Sequence, residues 1–489
     1  MSSTNAVSNK NSVLKNILIV LMGALLMCFL WRIRGTNGWG SSWGLLNAGA
    51  IFSLFAITII GDRKKTSLAW VGLSAFSFML TVPTWGTFLD QITGSISSQV
   101  ESKILSPETG KLVEGIVEGA ILGEDGLYYI AGARAIPMWS AVSIMLILGF
   151  GLATIWGIML GRSLSDKQWK IRDFVLLVAV FFAAMYASRA TLAHTLTEIL
   201  QPEALDLFKE GLFRQGVVNE ANFESIYKVY MDHFDDMSWA KKIMGGRNYF
   251  AFVETISIAI GGIASMIVTR FVIKDKRAAN MGLITSVSFA IAITVADLFF
   301  YFFDGTTGKI GEVKNIYAWS CWEYFTGFIA GIFITATILF FKNRMGEDVR
   351  EKAFSTVPAK ITDILQFLMG FVAVLGINIV RPVLDRLEDT DFHIPALILA
   401  FIGAVIFIVL SIKKFGVNLD NTTQVSYSYK ALVVMMIYMF CIYMFTDFTN
   451  GGANIMSASA LHNIAMAVSF FVLTIYFAIN MKKTLKDDK

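Results

Sequence analysis

A turn near the start of the chain carries residue types suited to gripping an anion. It reads Trp31-Arg32-Ile33-Arg34-Gly35-Thr36-Asn37-Gly38-Trp39-Gly40 and lies between two apolar stretches. Gly35, Gly38 and Gly40 let backbone N–H groups converge on a ligand or approach it closely. Arg32 and Arg34 carry planar guanidinium forks that match a phosphate or carboxylate in bidentate fashion. Asn37 adds an amide to the same turn. The apolar stretch that follows points the positive end of its helix at the same place. The competing structural reading is a tight turn with interfacial Trp anchors and arginines reaching toward lipid headgroups.

Five ionisable residues sit within or at the ends of apolar stretches: Arg189, Glu254, Asp297, Glu323 and Asp447. A charge in lipid is costly, so each is expected to face protein or a water-filled cavity. Asp297 is the deepest of them and is expected to pair with an arginine or to carry a shiftable proton. His194 and Glu198 stand one helical turn apart, and His462 lies beside the last apolar stretch. With Asp297, these two histidines are the candidates for proton transfer or coupling. Arg247, in a Gly-Gly-Arg-Asn run, and Arg381, before a proline, complete the set. The expected substrate-binding residues are therefore Arg32, Arg34, Gly35, Asn37, Gly38, Arg189, Arg247, Glu254, Glu323, Arg381 and Asp447. The run 232–236 has hard-metal ligand types, but its members are too close in sequence to form a site alone. No metal and no cofactor is expected. HExxH, GxSxG and Walker A patterns do not occur, which removes the common hydrolase and nucleotide-hydrolysing readings.

The elements that position these residues follow from composition. Apolar residues make up 55% of the 489 and charged residues only 16%, against roughly 25% charged in a soluble domain. Many runs of about 20 apolar residues imply an all-α polytopic membrane protein. Period-two strands of a β-barrel are not seen. Twelve spans are expected, near 13–31, 43–61, 67–83, 136–161, 171–192, 250–273, 281–303, 319–341, 361–380, 394–412, 428–446 and 460–481, forming one integral membrane domain. Cys28, Cys321 and Cys441 show no paired spacing and read as packing residues.

Charge sorting orients the spans. The two termini and every second connection together hold 25 of the 41 Lys and Arg but only 11 of the 37 Asp and Glu. By the positive-inside rule, that face is cytoplasmic and both termini lie inside. The basic turns are assigned no role beyond orientation. All four histidines then fall on the outer face, with two long loops, 84–135 and 193–249, expected to cap it. Within the first, the spacing over 95–126 predicts an amphipathic helical segment. The outer loops carry no glycosylation sequon, which suits a bacterial inner membrane.

Residues 61–65, Gly-Asp-Arg-Lys-Lys, follow the second span. They are loosely similar to the signature loop of the major facilitator superfamily, over those five residues alone. Twelve spans with both ends inside is a common carrier plan. The function expected first is a secondary transporter of a small or amphiphilic, anionic solute, with its polar site near the outer mouth. The second is a membrane-embedded transferase acting at the outer face on a lipid-linked, phosphate-containing substrate. Partners under either reading are membrane lipids and the substrate, with no nucleic acid.

Overall fold

Every described stretch that the apolar pattern marks as a span is helical. The computed structural model describes residues 2–33, 41–60, 66–81, 138–202, 246–303 and 318–345, several residue pairs between 104 and 129, residues 422–423, and residues 432 and 475. Among these are α1 (Ser2–Ile33), α2 (Ser41–Ile60), α3 (Leu68–Met79), α4 (Met138–Ser163), α5 (Ile171–Arg189), α6 (Leu192–Leu200), α7 (Gly246–Phe271), α8 (Lys276–Phe303) and α9 (Ala318–Lys342). Six of them, α1, α4, α5, α7, α8 and α9, are long and apolar enough to cross a membrane. α2 contributes a shorter apolar segment, Gly44–Ile60. The four spans expected between 361 and 481 lie outside the described residues, apart from Leu432 and Ile475, both helical.

Two local signals explain where helices begin. α8 starts a turn before its apolar run because Asp275 caps it: Asp275 Oδ1 accepts the Ala278 N–H at 2.9 Å. At α5, Asp173 Oδ2 accepts the Lys170 N–H at 2.8 Å. The turn between α7 and α8 closes through Lys274, whose φ of 61° is left-handed. Such a residue ends a helix by letting following amides bond back, and here the Asp275 N–H reaches the Thr269 carbonyl at 2.9 Å.

The expected amphipathic helix over 95–126 is not what its described residues form. Ile104–Leu105 and Ile121–Leu122 each pair antiparallel with Tyr128–Tyr129, and Lys111–Leu112 pairs with Gly115–Ile116. Glycines at 110, 115, 119, 123 and 126 oppose a helix by about 1 kcal/mol each relative to alanine, so the apolar spacing is overridden. The second loop does begin with a helix, α6.

Lipid is as apolar as leucine, so membrane helices associate through close packing and internal polar bonds. α4 lies along α8, and α1 lies along α9. Both seams are made of small residues. Gly149, Gly157 and Gly161 of α4 meet Ala290, Thr285, Gly282 and Ala278 of α8, while Gly327 and Gly331 of α9 meet Cys28, Gly23 and Ala24 of α1. Hydroxyls also join helices: Thr154 bonds Ser286 across the α4–α8 seam at 2.8 Å, and Ser53 of α2 bonds Ser74 of α3 at 2.9 Å. Between the seams lies an aromatic core. Phe78 stacks on Trp156 at 4.2 Å, Phe52 meets Trp156 edge-on at 5.6 Å, and Trp31 touches Phe289 at 5.2 Å and Trp322 at 6.3 Å. None of these rings is measurably exposed beyond a trace.

At one end of the bundle the basic turns tie the helices together, in addition to orienting them. Arg277 forms an ion pair with Asp166 at 2.9 Å, donates to the Leu164 carbonyl at 3.1 Å, and bonds the Arg344 carbonyl. Trp169 Nε1 donates to Asp275 Oδ2 at 2.8 Å, and the Arg162 guanidinium lies over the Trp169 ring. Three connections assigned to the cytoplasmic face therefore meet. A fourth and fifth meet through the antiparallel pairing of Thr66–Ser67 with Thr422–Thr423. The alternation of sides read from charge is thus matched by contacts between connections.

Candidate functional site at the outer helix ends

Two ion pairs, one buried and one part-buried, form at the opposite end. Arg32 closes α1 and reaches Glu323, in the first turns of α9, at 2.7 Å. The guanidinium also sits 5.9 Å from the centre of the Tyr324 ring. Arg189 closes α5 and meets Glu254, two turns into α7, at 3.2 Å. The Glu254 side chain is only 2% exposed and that of Arg189 11%. Four of the expected binding residues are therefore brought together, as two separate pairs. Each pairing is dictated by depth. A carboxylate this far inside an apolar helix needs an opposite charge, and an arginine at a helix C-terminus also meets the favourable end of the helix dipole.

His194 joins the second pair. α6 packs against α7 and places His194 Nδ1 2.9 Å from the Tyr249 hydroxyl. Glu198, one helical turn on, is exposed. Burial pushes the His194 pKa down from 6.5 to about 4, and the nearby Arg189 charge pushes the same way. His194 is thus a neutral imidazole at ordinary pH, able to donate or accept a hydrogen bond but a weak base.

That depression makes a stability prediction. The folded state resists protonation of His194 while the unfolded chain accepts it near pH 6.5, so stability falls as pH drops from about 6.5 to 4 and levels off below. At most about 3 kcal/mol is involved. Thermal melts at pH 7.5 and pH 4.5 should separate more for the native protein than for His194→Gln. Equal separation would show that the imidazole is accessible to protons.

Asp297 is fully buried in α8, two turns beyond Ala290. Arg247 lies in the first turn of α7. Arg34, Gly35, Asn37, Gly38, Arg381, Asp447 and His462 lie outside the described residues, as does the acidic run 232–236. Among the described residues no group of three metal-ligating side chains occurs. Tyr249 and Tyr324 were not singled out from sequence, because a tyrosine near a membrane boundary is common and nothing in its spacing marks it.

The arrangement argues against capture of an anion at Arg32 or Arg189. Arg32 and Arg189 are each neutralised by a glutamate, so neither pair offers a net positive charge. Paired charges with neighbouring tyrosine and imidazole groups suit hydrogen bonding to a neutral polar molecule.

Residues 257–420, about a third of the chain, match the family model described as "PTS system sorbose-specific iic component". The matched segment begins in α7, includes α8 and α9, and runs on through the ninth and tenth expected spans. No curated protein and no solved structure matches the chain. The match lends nothing to an anionic solute or to a lipid-linked substrate. The chain is a multi-pass helical protein of the plasma membrane, and its function is membrane transport.

Proposed function

We propose that the chain is the membrane component of a sugar transporter of PTS type, working with other PTS proteins. The observation that carries this reading is the family-model match over 257–420. The paired charges at the outer helix ends support it. A sugar is neutral and presents many hydroxyls, each able to donate and accept. Glu254 and Glu323 would accept from such hydroxyls, Arg32 and Arg189 would donate to them, and Tyr249 and His194 can do either. Asp297, more deeply buried, would act further along the path.

Uptake of labelled hexoses, L-sorbose included, tests this in cells expressing the full chain with partner PTS proteins. Uptake above that of cells lacking the chain is expected, with a drop of about tenfold or more for Glu254→Gln, as for a hydrogen bond to a charged group. Failure to accumulate any sugar would overturn the proposal.

A further inference from the structure

Trp156 departs from the rule that buried polar groups find partners. Its indole N–H is fully enclosed within the aromatic core and has no hydrogen-bond partner among the described residues. Such a donor is costly, the more so at membrane depth where water cannot compensate. Phenylalanine would supply an aromatic face without that cost.

Three threonines share the defect. In the same helices the hydroxyls of Thr154, Thr294 and Thr337 each bond the carbonyl four residues earlier. The hydroxyls of Thr285, Thr326 and Thr335 are fully buried and have no such partner among the described residues. Their positions are related. Thr285 precedes Phe289 by one helical turn, and its Oγ1 would lie 2.8 Å from a Cβ on Gly157, the residue beside Trp156. Thr326 follows Trp322 by one turn. Thr335 and Phe55 together fill the space a Cβ on Gly23 would need. Phe55 in turn touches Phe52 at 5.5 Å. All four groups therefore border one cluster of rings, contributed by α1, α2, α3, α4, α8 and α9.

We propose that this constellation is a mid-membrane binding site for a neutral polyhydroxylated solute. Ring faces would take the C–H surface of a sugar, and the indole N–H and threonine hydroxyls would bond its hydroxyls. The inference rests on the sugar-transport reading and places the solute deeper than the outer ion pairs. The rings touch one another in this structure, so admitting a solute requires α1 and α9 to shift against α4 and α8. The small-residue seams lie within each pair, α1 with α9 and α4 with α8, so each pair can shift as a unit. A local rule broken without evident structural gain is the mark of a functional position.

Equilibrium binding of labelled hexoses and hexitols to the purified full chain in nanodiscs tests the site, read beside the melting temperature. Trp156→Phe keeps a ring and removes the N–H; Thr285→Val and Thr326→Val keep the shape and remove the hydroxyl. Each is expected to weaken binding about tenfold, the worth of one hydrogen bond, while melting at or above the native temperature. A merely structural residue would not give that combination. Native binding left unchanged in all three variants would overturn this site and leave the sugar reading standing. Absence of binding by the native chain to every sugar and polyol tested would overturn both.

Discussion

Replacing Glu254 with glutamine is expected to destabilise the protein by about 3–5 kcal/mol, because it leaves the Arg189 guanidinium buried without its counter-charge. The pair is 3.2 Å apart, with the carboxylate 2% exposed. Removing both charges is a different matter. Arg189→Met with Glu254→Leu eliminates the desolvation cost together with the attraction, so the double variant should recover most of the loss. Thermal unfolding of Arg189→Met, Glu254→Leu and the double variant in detergent, beside Glu254→Gln, checks this. A Glu254→Gln protein that melts with the native one would show that the pair is hydrated. The same series separates roles. If Glu254 also bonds the substrate, the double variant regains stability and remains inactive in uptake.

The second large effect is expected at Gly149. A Cβ there would meet the Phe289 carbonyl and come 2.6 Å from the Ala290 Cα, all of it backbone. No rotamer change relieves a clash with backbone, so α4 and α8 must separate along their longest shared seam. Gly149→Val should cost at least about 3 kcal/mol, at the upper end for overpacking, and should sharply lower the yield of folded protein. Gly49→Ala is the comparison. Its Cβ would stand 3.0 Å from the Ala75 Cα, a contact that α2 and α3 can ease by a few tenths of an ångström, so the change should cost under about 1 kcal/mol. Size-exclusion profiles and melting temperatures distinguish the two. Similar behaviour would mean that the α4–α8 seam is looser than its geometry.

Helices were legible wherever apolar runs were long, since nothing else satisfies backbone polar groups in lipid. Boundaries were less so. α8 begins at Lys276 because Asp275 caps it, whereas hydropathy placed the start five residues later, past the charged first turn. The candidate site was half legible. Arg189 and Glu254, like Arg32 and Glu323, were visible as rare charges near apolar stretches, because burying a charge is costly enough to make each one conspicuous. Their pairing was not visible: the partners of the first pair are 65 residues apart and those of the second 291. His194 shows the converse. Helical spacing offered Glu198, but the fold buried His194 and set its Nδ1 2.9 Å from the Tyr249 hydroxyl, so the imidazole is held neutral.

Composition and charge order by themselves determined a polytopic helical protein, the parity of its connections and the end at which its rare charges gather. Those properties follow from transfer of each residue between water and lipid, which depends on the residue and its immediate neighbours. The tertiary structure alone decided which charges neutralise each other, that the basic turns also bond to one another, and that the polar groups of Trp156 and three threonines lie beside aromatic rings with no hydrogen-bond partner among the described residues. These depend on which helix faces meet. In lipid that is set by close packing of small residues and by scattered polar bonds, with no broad apolar stripe to announce it.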